Sequence, residues 1–90
     1  MASVRIPAQL RNLTSGDRVL DLQGSTVSEL IDNLESKHPG FKERLLDAEG
    51  EPSSFVGIYV DGEDVRFLSG LATEITDDSE VSIVPAASGG

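Results

Sequence analysis

The stretch TVSELIDNLESKHPG, residues 26–40, limits the fold more than any other part of the chain. Thr26 followed by Glu29 matches a capping box, in which the hydroxyl accepts from an early helix amide and the carboxylate reaches back to the cap amide. Val27, Leu30, Ile31 and Leu34 then recur on one helical face, while Ser28, Asp32, Asn33, Glu35 and Ser36 face water. Lys37 and His38 lie in the last turn, where positive charge is favourable, and Pro39-Gly40 stops the helix. One helix with one apolar stripe needs a surface to cover, and the flanking sequence supplies strands.

Val4 and Ile6 alternate with polar positions in SVRIP, and Leu20 and Leu22 flank Asp21 in RVLDLQG, which predicts an N-terminal hairpin. Its connection, LRNLTSGD, is too long for a tight turn, so Leu10 and Leu13 are expected to tuck partly onto the sheet. Phe41 and Leu45 are four apart, predicting a short second helical piece in GFKERLLD. FVGIYV is the most strand-prone run, with Val56, Ile58 and Val60 on one face. Asp61-Gly62 turns the chain into EDVRFLSG, read as a strand in which Val65 and Phe67 alternate with Arg66. After the turn TDDSE, the last strand, VSIVP, points Val81 and Ile83 one way and Ser82 and Val84 the other. The order gives an α+β roll of the β-grasp kind, with about five strands in a mixed sheet under one main helix and a short helical segment. The last strand is expected centrally beside the first, Leu30 and Leu34 deepest in the core, and residues 1–85 as the folded domain.

Ninety residues make one small domain. No run of about 18 apolar residues is present and the start MASVRIPAQL lacks the regions of a secretory signal, so a cytoplasmic protein without membrane contact is expected. The absence of cysteine removes disulfides, thiolate nucleophiles and cysteine metal sites, and the single His38 supplies a zinc site poorly. A formal charge of −9 repels phosphate backbones, which argues against nucleic acid and favours partners with basic docking surfaces. Asp61, Glu63, Asp64, Asp77, Asp78 and Glu80 fall in polar turns and read as a solvated or partner-contacting acidic surface rather than a catalytic pair. The serines lack a base, and the glycines form no phosphate loop. Arg66 is open to two readings, a surface ion pair or a specific partner contact.

The chain closes with VPAASGG, directly after the last strand. Residues 86–90 are small and uncharged, and read as a flexible tail ending in Gly-Gly. Extended, five residues carry the terminal carboxylate roughly 17 Å from the sheet. Ala86 and Ala87 allow close passage, Ser88 keeps the run polar, and Gly89-Gly90 removes Cβ where a channel would be narrowest. A frayed terminus and an arm that threads into another protein both fit this composition.

With IYVDGEDVRF, SGLAT and VSIVPA followed by terminal Gly-Gly, the sequence resembles the ubiquitin-like sulfur-carrier family of ThiS, MoaD and CysO proteins over essentially its full length, and within it the CysO kind most closely. The resemblance implies a carrier rather than an enzyme. Gly90 would be adenylated by a ubiquitin-activating-like adenylyltransferase and converted to a thiocarboxylate. Gly89 would be the channel residue, with Ala86, Ala87 and Ser88 as the arm. Asp64, Arg66 and Phe67, in the family's VRF-containing stretch, would form or support a docking face, with burial of Phe67 the alternative. It also implies a cysteine synthase using pyridoxal phosphate and a zinc metalloprotease that releases the product. ATP and magnesium would sit in the activating enzyme, and this chain would bind none of these cofactors. Other branches of the carrier chemistry stay open: molybdopterin, thiamin, tRNA thiolation or a specialised metabolite. So do a protein modifier joined through Gly90 to lysine and a noncovalent β-grasp binding module.

Overall fold

The computed structural model describes residues 1–85; residues 86–90 lie outside the described residues. Thr26 holds an extended backbone and its hydroxyl accepts from the Glu29 amide at 3.2 Å, which starts α1 (Val27–Lys37). The Glu29 carboxylate reaches one residue further back than a capping box requires, accepting from the Ser25 amide at 2.9 Å. At the other end the His38 amide still donates to the Leu34 carbonyl. Gly40 then takes a φ of 111°, and a β-carbon there would meet Leu13 at 3.2 Å, so the stop signal also lets the chain pass close to a neighbour. The short α2 (Lys42–Leu45) follows, and Phe41 and Leu45 are completely buried.

Five strands form one sheet: β1 (Ala2–Arg5), β2 (Val19–Leu22), β3 (Val56–Val60), β4 (Glu63–Asp64) and β5 (Glu80–Pro85), in the order β2-β1-β5-β3-β4. β5 runs parallel to β1 and antiparallel to β3, so the last strand is central, as the β-grasp order requires. Val4, Ile58, Val81 and Ile83 point beneath α1, whose Val27, Leu30, Ile31 and Leu34 are all buried. Each large side chain removed from water in this way contributes roughly 1.5 to 3 kcal/mol before ordering entropy is subtracted. Gly57, Tyr59, Ser82 and Val84 alternate with these residues and form the face of the sheet left open.

One connection tucks its leucines inward as expected, and another departs from expectation. The long link between β1 and β2 curls into a 3-10 segment, Ala8–Thr14, that buries Leu10 and packs Leu13 partly on the core. The strand expected through EDVRFLSG is reduced to β4, because the Asp64 carboxylate accepts from the Arg66 amide at 2.8 Å and draws the chain into a 3-10 turn, Val65–Phe67. Val65 is therefore buried while Phe67 is 86% exposed, so the two do not share a face. Among the described residues no helix is long and apolar enough to cross a membrane.

Candidate functional site

Pro85 ends β5 at the edge of the described residues, and its register places it opposite Val56, the first residue of β3. Two open concavities meet there, and both are lined by Val56 and Pro85. On the helix side, a space of about 340 Å³ is bounded by Pro7, Leu10, Arg44 and Phe55. On the open face of the sheet, a second of about 260 Å³ is bounded by Tyr59, Asp64, Arg66 and Val84. Phe55 is 80% exposed and Val84 43% exposed, so the point from which the chain continues is flanked by uncovered apolar side chains.

Arg66 reaches this place from the turn after β4. Its guanidinium donates to the Ser53 carbonyl and to the Val56 carbonyl at 3.2 Å, and stands 3.7 Å from the Asp64 carboxylate. Carbonyl oxygens take up part of the fork without cancelling its charge, which keeps the cation at the start of β3. Neither of the two readings left open by the sequence includes this backbone clamp. Asp64 and Arg66 are thus brought together, whereas Phe67 lines neither concavity at Pro85. Ala86, Ala87, Ser88, Gly89 and Gly90 lie outside the described residues.

Phe55, Val84, Pro7 and Arg44 were not singled out by the sequence reading of the site. Phe55 had a usable signal: it precedes Val56, Ile58 and Val60 by odd steps, so a strand that buries those three turns Phe55 away from the core. Arg44 and Pro7 had none, since only the tertiary fold brings them to Pro85.

The two concavities present apolar and charged surface side by side. Among the described residues no three His, Asp or Glu side chains come together as a metal site. Among the described residues, the two groups with displaced titration serve the link between α1 and α2 and line neither concavity. Glu35 is held below the usual carboxylate range by the amides of Lys42 and Gly40. Lys42 is raised by its hydrogen bond and charge contact with Asp32, 2.7 Å away.

Four similarities bear on this geometry. The description of the ThiS family matches residues 4–90. The chain is 44% identical to the sulfur carrier protein CysO of Mycobacterium tuberculosis over 90 residues, 98% of this chain and 97% of the relative. Among solved structures, a chain in the crystal structure of the Amycolatopsis orientalis BexX/CysO complex superposes with a TM-score of 0.93 at 42% identity, covering 100% of both chains. The solution structure of small archaeal modifier protein 1 from Methanosarcina acetivorans matches with a TM-score of 0.82 at 30% identity, over 99% of this chain and 95% of that one.

Proposed function

The chain belongs to the ThiS family, and from that premise we propose that it is a sulfur carrier whose Gly90 carboxylate is activated by a partner enzyme and turned into a thiocarboxylate for cysteine biosynthesis. The observation that carries this reading is the whole-length 44% identity to a CysO sulfur carrier in a chain that itself ends in Gly-Gly.

The chemistry follows from what a carboxylate lacks. Its charge is delocalised and its oxygen leaves poorly, so a sulfur nucleophile gains nothing by attacking it. Reaction with ATP forms a bond between a carboxylate oxygen and the α-phosphorus and releases pyrophosphate. Hydrosulfide, or a persulfide with a reductant to free the acyl group, then forms the C–S bond as AMP leaves with the C–O electron pair. The partner supplies ATP, magnesium and positioning, while the carrier supplies the acyl group and the arm, Ala86 to Gly89. In the next stage the thiocarboxylate sulfur displaces the leaving group of an activated serine-derived acceptor on a cysteine synthase. Cysteine is then left attached to the carrier, and a metalloprotease hydrolyses it off. Pyridoxal phosphate and zinc belong to those two enzymes.

Intact-protein mass spectrometry after incubation with an adenylyltransferase, ATP and a sulfur source tests the reading. The expected product carries one sulfur in place of one oxygen, and it disappears when Gly90 is deleted. Failure to exchange with every adenylyltransferase of the host would overturn it. The likeness to a small archaeal modifier protein favours a second reading, a protein modifier, whose product is a Gly90-lysine branched peptide.

A further inference from the structure

The main chain around Pro85 determines whether the residues that follow can join the sheet. Pairing alternates along an antiparallel ladder, and the Asp61 amide donates to the Glu80 carbonyl at 2.8 Å, so Asp61, Tyr59 and Gly57 turn their main-chain groups toward β5. Phe55 is next in that series, and the register would set it opposite residue 86. Its amide is already committed. It donates to Ser53 Oγ at 3.1 Å, in a turn where the Val56 amide reaches the Ser53 carbonyl at 3.4 Å. The Ser53 amide is fixed on the Leu45 carbonyl at 2.8 Å and the Arg66 guanidinium donates to the Ser53 carbonyl, so this serine is held from both sides.

The other flank of β5 ends on the same line. The Ser3 amide donates to the Ser79 carbonyl at 3.1 Å while the Ile6 amide turns to the Arg18 carbonyl at 2.8 Å, so odd-numbered residues of β1 face β5. Carried two steps past Ser3, that series reaches Pro7, which has no N–H. In the same parallel register residue 85 would donate to the Pro7 carbonyl, and it too is a proline. The Pro7 carbonyl accepts instead from the Leu10 amide at 2.9 Å. Positions 7, 55 and 85 thus all fail to donate where the ladder would run on.

We propose that Ser53 is a positioning residue for the modification of Gly90. By holding the Phe55 amide it keeps the ladder between β3 and β5 from closing beyond Pro85, while Pro7 and Pro85 act alike on the β1 side, and residues 86–90 stay available as the arm. The consequence for Gly90 rests on the carrier reading; the geometry does not. Pairing of two more residues with β3 would withdraw about 7 Å from a reach of roughly 17 Å. An arm that must first leave the sheet is competent only for the fraction of time it is free, and its apparent affinity for an enzyme falls by that fraction.

The test uses the full-length chain. Ser53→Ala, and Ser53→Val as the isostere of threonine, free the Phe55 amide and are expected to slow amide exchange at residues 86 and 88, whose parity faces β3, about fivefold by NMR. Ser53→Thr keeps the hydroxyl and is expected to match the parent. With the adenylyltransferase that modifies Gly90, Ser53→Ala is expected to raise the KM for the carrier by the same factor of about five, with kcat within about twofold and the parent value restored in Ser53→Thr. Exchange in Ser53→Ala and Ser53→Val as fast as in the parent, equal slowing in Ser53→Thr, or an unmoved KM where exchange has slowed overturns the proposal. The exchange measurement is made on the chain alone, so a parent chain that yields no thiocarboxylate counts against the carrier reading and leaves this test decisive.

Discussion

The ring of Tyr59 lies over Gly57: a β-carbon built at Gly57 would stand 2.8 Å from Tyr59 Cε1. The two residues point to the same, open face of β3, and the missing side chain of one makes room for the ring of the other. Elsewhere in a strand, replacing glycine by a β-branched residue helps. Here Gly57→Val is expected to cost about 1 to 3 kcal/mol, because the ring has to leave its place. Urea denaturation checks the sign, and a midpoint at or above that of the parent chain contradicts the arrangement.

Leu30 and Leu34 are each 1% exposed beneath the helix. Truncating either to alanine is expected to destabilise by about 2 to 5 kcal/mol, the spread reflecting how far the site can collapse. Chemical denaturation showing nearly no loss for both would mean that the helix stripe does not organise the core.

Glu35 accepts from the Gly40 amide at 3.2 Å and the Lys42 amide at 2.8 Å, which favours its charged form and lowers its pKa below the ordinary 4.5. A carboxylate lowered by folding stabilises the fold above its unfolded pKa, and that contribution fades as pH falls through the folded value. Glu35→Gln is therefore expected to be less stable than the parent at neutral pH, with the difference shrinking below about pH 4.5. Denaturation midpoints of both proteins along a pH series decide it, and a gap that stays constant into acid rejects the ionic origin.

Arg66 ties Ser53 and Val56 to the turn after β4. Arg66→Met takes this donor from the Val56 carbonyl and leaves the Ser53 carbonyl with the Val56 amide at 3.4 Å, with an expected loss of about 1 to 3 kcal/mol. Arg66→Lys is expected to recover little, since a point ammonium cannot reproduce the planar fork. Amide hydrogen exchange is expected to quicken around residues 53–56 in both variants, and protection equal to the parent there would show that the clamp is dispensable.

The sequence made the helix legible to the residue, because Thr26 and Gly40 mark its ends by local chemistry and its stripe has only one periodicity. The inward faces of β3 and β5 were legible for the same reason: strict alternation between buried and uncovered positions leaves one assignment. EDVRF misled because a period of two over so few residues also fits a strand entering a 3-10 turn, and the side-chain bond from Asp64 to the Arg66 amide decides between them. The surface around Pro85 was only half visible. Phe55 follows from strand parity, whereas Arg44 arrives from α2, a chain segment about forty residues distant, through packing that no local pattern encodes.

The parallel pairing of β1 with β5 sets the amino terminus and Pro85 at opposite poles. Met1 forms an ion pair there with Asp77, at 3.2 Å between largely exposed groups, an attachment of small energetic weight. A reporter, affinity handle or bead linked ahead of Met1 therefore sits at the pole away from Pro85, whereas the same handle placed after Gly90 would, on the carrier reading proposed above, block the carboxylate that reading needs.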